Sequence, residues 1–270
     1  MKTRIITAIV ALLIFIPIVI FAGTVVFDFN GFEIKIVNIA LAVLSAVGAW
    51  EAIKCVGENK SPIFYPSIAV AAILPLVTGT DLALYTPAFV MLLFYLLFAG
   101  VLKNKTVTCD KVLVAFALTF YVASSFGAIV VLYNTAIKLF PLIFIGAWVT
   151  DTFAYFTGYF LGKHKLIPAV SPKKTVEGAI GGSLATTLVY GVYAWLTSGD
   201  ITTTAIITIV GLVASVVSQL GDLSASLVKR HWGIKDYGNL FPGHGGVLDR
   251  FDSILAVSAF LYIVSLFIKL

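Results

Sequence analysis

Between Asp222 and Asp252 the chain reads DLSASLVKRHWGIKDYGNLFPGHGGVLDRFD. It carries eight charged side chains there, Asp222, Lys229, Arg230, Lys235, Asp236, Asp249, Arg250 and Asp252. Carboxylates can hold a divalent cation, and lysine and arginine can neutralise phosphate. The glycine-rich run from Pro242 to Gly246 offers backbone amides with no side chains in the way. Together these residue types predict metal-assisted chemistry on a phosphate.

Spacing sharpens the reading. Asp222, Ser226 and Lys229 or Arg230 recur at helical intervals and share one face. A carboxylate in an apolar helix is costly unless it meets a partner, an ion or water. The simpler account of this face is a Lys-Arg pair snorkelling from a helix end, with Asp222 as its ion-pair partner. Asp249 and Asp252 stand three apart at the start of the last apolar run. There they could cap a helix and offset its dipole, or join Asp222 in an oxygen-rich pocket for Mg²⁺, with Asp252 in a supporting role. His244, Gly245 and Gly246 are candidates to hold phosphate oxygens. A second polar cluster begins with Asp151, set in the apolar run Trp148 to Tyr155, and continues to Glu177. Within it, Ser171, Lys173, Lys174 and Thr175 could receive a triphosphate or an acidic lipid head group. The alternative for Ser171 or Thr175 is a helix cap. Lys163 and Lys165 need no role beyond a basic loop at a membrane surface.

The elements that must position these residues are membrane helices. Of the 270 residues, 60% are hydrophobic and 11% charged, whereas soluble domains hold about 45–50% and about 25%. The composition therefore predicts an all-α polytopic integral membrane protein. Apolar runs near 5–27, 36–55, 63–79, 82–102, 112–133, 139–161, 177–197, 201–228 and 252–269 give about nine transmembrane helices. The first is longer than a signal-peptide core and is read as a retained span. If the nine alternate, 15 of the 18 basic residues fall on one side, which places the N-terminus in the cytoplasm, the C-terminus outside and the 222–252 segment facing the cytoplasm. Residues 1–135 would hold helices 1–5, and residues 136–270 would hold helices 6–9 with the site. Cys55 and Cys109 suggest neither a disulfide framework nor a zinc site. No internal repeat of the kind common in secondary transporters is visible.

The run from Ser226 through Lys229, Arg230, Lys235, Asp236, Gly238, Phe241, Pro242, His244, Gly245, Gly246, Asp249 and Arg250 to Asp252 resembles the signature of the phosphatidate cytidylyltransferases, or CDP-diacylglycerol synthases. Asp151 and the Ser171 to Glu177 loop are similar to family features, less sharply. The resemblance implies that CTP and phosphatidic acid give CDP-diacylglycerol and pyrophosphate, with Mg²⁺ alone or with a second cation. It implies Asp222, Lys229, Arg230, Asp249 and Arg250 as catalytic residues. Ser171, Lys173, Lys174, Thr175, Ser226, Lys235, His244, Gly245 and Gly246 would bind substrate, and Asp222, Asp249, Asp252 and Asp151 would supply metal ligands. The setting would be a bacterial inner membrane, with membrane lipids around the protein, no nucleic acid partner, and a homodimer as the one assembly considered. The Asp-Gly-x-x-Ala-Arg run of the CDP-alcohol phosphotransferases is absent from the sequence. Polyprenol or dolichol kinases remain a weaker alternative. An ion-coupled transporter carrying charge on Asp151 and Asp222 would not need the Lys/Arg/Gly-rich loop.

Overall fold

The computed structural model describes residues 13, 16–29, 32–58 and 60–268. Strands β1 (Val25–Phe29) and β2 (Phe32–Lys35) form an antiparallel hairpin. Helices α1 (Ile36–Cys55), α2 (Tyr65–Val77), α3 (Tyr85–Leu102), α4 (Cys109–Thr135) and α5 (Phe140–Leu161) follow. A second small hairpin, β3 (Lys165–Ile167) and β4 (Ser171–Thr175), leads into α6 (Val176–Ser198), α7 (Ile201–His231) and α8 (Leu248–Phe267). Among the described residues, seven helices are long and apolar enough to cross a membrane, all but α2. The start of the first predicted span lies outside the described residues. Its predicted end is corrected, because residues 25–27 belong to β1.

The chain divides into two compact units. One holds the described residues up to Asn134 together with Ile234–Arg250, and the other holds Thr135–Gly233 and Phe251 onward. The 234–250 segment, which sequence order puts with the C-terminal helices, thus groups with the N-terminal ones.

In the first unit the Asn38 amide of α1 donates to the carbonyls of Pro75 and Thr78 at 3.1 and 2.9 Å, satisfying acceptors where α2 ends. Phe89 of α3 meets Phe120 of α4 edge-on at 4.8 Å.

In the second unit, small residues let α5 and α6 approach closely. A Cβ at Gly178 or Gly182 would sit 2.6–2.7 Å from a carbonyl of α5, and the Thr150 and Thr186 hydroxyls share a hydrogen bond of 2.7 Å. Tyr190 of α6 is fully buried and donates to the Leu142 carbonyl at 2.5 Å. Its ring fills the space left by Gly211 of α7, so one side chain ties three helices.

Helix α7 has 31 residues, about 46 Å at 1.5 Å per residue, against about 30 Å of hydrocarbon. It starts at the exposed N-cap Asp200, which accepts from Thr203 N. Asp222 lies about 32 Å further along, in the last third of the helix. Gly221 brings α7 against α8, since a Cβ there would meet Ala256 Cβ at 2.6 Å and the Asp252 carbonyl at 2.9 Å.

Candidate functional site

In the second unit the predicted residues of three helices and β4 form one charged neighbourhood. Asp222 Oδ2 of α7 pairs with Lys174 Nζ of β4 at 2.5 Å, both side chains about a quarter exposed. The simpler sequence account paired Asp222 with Lys229 or Arg230, and the structure gives it Lys174. Asp252 of α8 has Asp222, Lys229 and Asp151 as charged neighbours. Its Oδ1 accepts from Ser253 N at 2.8 Å, and the Ser253 hydroxyl donates to Asp151 Oδ2 at 3.4 Å. Lys229 is buried, as its long stem allows, while Arg230 is exposed one position on. Ser226 lies half-buried one turn after Asp222. Three carboxylates and two lysines are therefore gathered where α5, α7, α8 and β4 meet.

The β3–β4 hairpin holds Lys174 in place. Thr175 ends β4 and caps α6, its buried Oγ1 accepting from Gly178 N at 3.1 Å. The capping alternative raised from the sequence thus describes Thr175, whereas Lys173 is exposed and Ser171 half-buried. Glu177 accepts from the main-chain N–H of His164 and pairs with its Nδ1 at 2.7 Å, fastening the start of the hairpin to α6.

In the first unit the glycine-rich segment is a tight, internally bonded loop. Gly243 and Gly245 have φ of 78° and 90°, values that favour glycine. His244 N and Gly245 N both donate to the Phe241 carbonyl. Gly246 N and Tyr237 N donate to Asp249 Oδ2 at 2.9 and 2.8 Å, and Asp249 is buried. Val247 N and Leu248 N donate to the Glu51 carboxylate at 3.0 and 2.9 Å. The amides from His244 to Leu248 are accordingly engaged within the protein, and the enclosed Nδ1 of the His244 ring has no protein partner. Lys235 and Arg250 are exposed in the same unit.

Sequence reasoning missed Glu51. A carboxylate inside the apolar run 36–55 was the available signal, since such a group is costly without partners.

Mg²⁺ takes one or two carboxylates and completes its octahedron with water and phosphate oxygens. Among the described residues no three His, Cys, Asp or Glu side chains converge on one point. The Asp151, Asp222 and Asp252 set nevertheless supplies hard oxygen donors beside lysines, and this chemistry fits Mg²⁺ held jointly with a phosphate.

The profile of the cytidylyltransferase family matches residues 2–268. The chain belongs to this family. Similar proteins named phosphatidate cytidylyltransferase occur in Staphylococcus haemolyticus strain JCSC1435, at 35% identity over 266 residues, and in Staphylococcus saprophyticus, at 34% over 269. A third, from Staphylococcus aureus strain COL, is 33% identical over 280 residues. Each alignment covers 98% of this chain and 98% of the relative.

Proposed function

We propose that this cytidylyltransferase-family protein joins CTP to phosphatidic acid, giving CDP-diacylglycerol and pyrophosphate. The observation that carries the reading is the lysine-countered group of Asp151, Asp222 and Asp252, in a chain similar over its whole length to proteins named for that reaction. A phosphate oxygen of the lipid attacks the α-phosphorus of CTP. The bond to the α,β-bridging oxygen breaks, and its electron pair leaves with pyrophosphate. No protein nucleophile is required, so catalysis consists of positioning and charge neutralisation.

Asp222 would hold Mg²⁺, with Asp252 and Asp151 in support. When bound, the ion would neutralise charge on the triphosphate and on the departing pyrophosphate. Lys174, Lys229 and Arg230 screen the repulsion between an anionic lipid and an anionic nucleotide, with Lys173, Lys235 and Arg250 adding positive charge. The His244 ring donates to a phosphate oxygen. Asp249 orders the glycine loop, and its predicted role as a metal ligand is retained in this reading.

The basic-residue asymmetry supports a nine-span topology with the N-terminus and the site on the cytoplasmic side of a bacterial inner membrane. That parity needs α2 to cross. With the 3₁₀ turn Pro62–Phe64 it runs 16 residues, near the short limit for a span. A cysteine at position 173 or 239 should react with an impermeant thiol reagent from the cytoplasmic side only. Labelling from outside intact cells would overturn this orientation.

The activity is tested by incubating purified protein with α-labelled CTP, with and without phosphatidic acid and Mg²⁺. Labelled lipid should form only when both are present. Its formation without Mg²⁺ would remove the ion from this account.

A further inference from the structure

We propose that Glu51 is a positioning residue for the reaction, fixing the backbone of the glycine loop from which His244 projects. The proposal rests on the cytidylyl-transfer reading for what the loop serves, but its structural basis is independent of it. The Glu51 side chain is completely buried in α1, almost two hundred residues away in sequence from the groups it binds. One carboxylate oxygen accepts from Val247 N at 3.0 Å and the other from Leu248 N at 2.9 Å. These are amides at the start of α8, which no intrahelical carbonyl can satisfy. Burying a carboxylate is tolerable when charge-assisted bonds of this kind replace water.

Two glycines bear the imprint of this contact. Gly238 and Gly246 have no positive φ, so backbone conformation does not demand glycine at either position. A Cβ on either would fall on the Glu51 carboxylate. Their missing side chains make room for Glu51, whereas those of Gly243 and Gly245 permit the left-handed turn. Asp249 completes the clamp by accepting from Gly246 N and Tyr237 N. Glu51 and Asp249 thereby fix four amides of the Tyr237–Leu248 segment, in which the buried His244 Nδ1 has no protein partner. The chemistry assigned to the loop thus depends on an acid that touches no substrate.

The test uses the full chain in detergent and four variants: Glu51→Gln, Glu51→Asp, Gly238→Ala and the Glu51→Asp/Gly238→Ala pair. In Glu51→Gln one acceptor becomes an NH₂ facing an N–H. Hydrogen exchange in peptides covering 237–250 should then quicken at least tenfold while α1 and α4 peptides keep their wild-type rates, and kcat/KM should fall at least tenfold. Gly238→Ala should lose activity by crowding the acid. Shortening the acid in the double variant should restore part of that loss, although Glu51→Asp alone is harmful. Such a reversal of sign reports direct contact.

Unchanged loop exchange in Glu51→Gln, kcat/KM within twofold of wild type, or acceleration spread equally through α1 and α4 would each overturn the proposal. If Glu51→Gln does not fold, Gly238→Ala and its double variant decide alone, and absence of rescue counts against the proposal. Should the wild-type protein form no labelled lipid, the reaction assignment fails, while the exchange measurement still decides whether Glu51 holds the loop.

Discussion

Acidic residues do opposite work in the two units. In the first, Glu51 and Asp249 face main-chain N–H groups, so both Glu51 oxygens and Asp249 Oδ2 are engaged by the protein's own backbone. In the second, Asp222 faces a lysine ammonium, and Asp252 lies among Lys229, Asp222 and Asp151. Amides on a folded backbone cannot leave, whereas a lysine side chain can swing aside for a metal ion or move onto a phosphate. Fixed partners suit a carboxylate that builds a surface, and exchangeable partners suit one that takes part in the reaction. The comparison separates backbone-holding carboxylates, Glu51 and Asp249, from lysine-countered ones, with Asp249 keeping its proposed metal role besides, although all these residues look alike in sequence.

The largest expected effect breaks the second region. Asp222→Asn keeps the shape and removes the charge, so label transfer should fall at least about 100-fold, roughly 2.7 kcal/mol of barrier, with size-exclusion behaviour unchanged. Wild-type turnover with ordinary Mg²⁺ dependence would take Asp222 out of the site. Next comes Arg230, exposed at the end of α7. Arg230→Ala should cost at least about tenfold in kcat/KM, the loss of one charge-assisted contact of about 1.5–3 kcal/mol. Arg230→Lys should recover only part of this, because an ammonium lacks the guanidinium fork. Equal rates in all three proteins would reduce Arg230 to a membrane-surface anchor.

The smallest effect sharpens the boundary between building and reacting. Thr175 caps α6 and sits next to Lys174, yet its hydroxyl serves the helix. Thr175→Ala should lower stability by about 1 kcal/mol in thermal unfolding, and Thr175→Ser should preserve both stability and activity. Loss of activity in Thr175→Ser at unchanged stability would return Thr175 to the substrate site.

Much of this architecture was legible because membrane helices announce themselves by length and apolarity. The runs predicted at 36–55 and 139–161 match α1 and α5 within a residue at each end. The end of the first run was misread because Val25, Val26 and Phe27 are apolar in a strand as well as in a span. The Asn-Gly pair at 30–31, with alternating residues after it, was the overlooked hairpin signal. For the candidate site, helical spacing put Asp222, Ser226 and Lys229 on one face, which needs only local geometry. Lys174 as the partner of Asp222, and Glu51 as the holder of the loop, could not be read this way. Both depend on contacts between segments distant in sequence, and periodicity carries no information about which distant residue arrives. The glycines at 238 and 246 show the same limit from the other side. In sequence Gly246 belongs to a run read as a phosphate loop and Gly238 carries no such signal, yet in the structure both make room for a carboxylate.

The central claim is that the group transferred from CTP to the lipid is cytidylyl. Purified protein, phosphatidic acid and Mg²⁺ should be given CTP labelled in parallel reactions at the α- or the γ-phosphate. The account requires α-label in the lipid and γ-label in released pyrophosphate. γ-Label in the lipid would show phosphoryl transfer of the kinase type, and label in neither lipid nor pyrophosphate would leave no cytidylyl transfer to explain; either result would contradict the account.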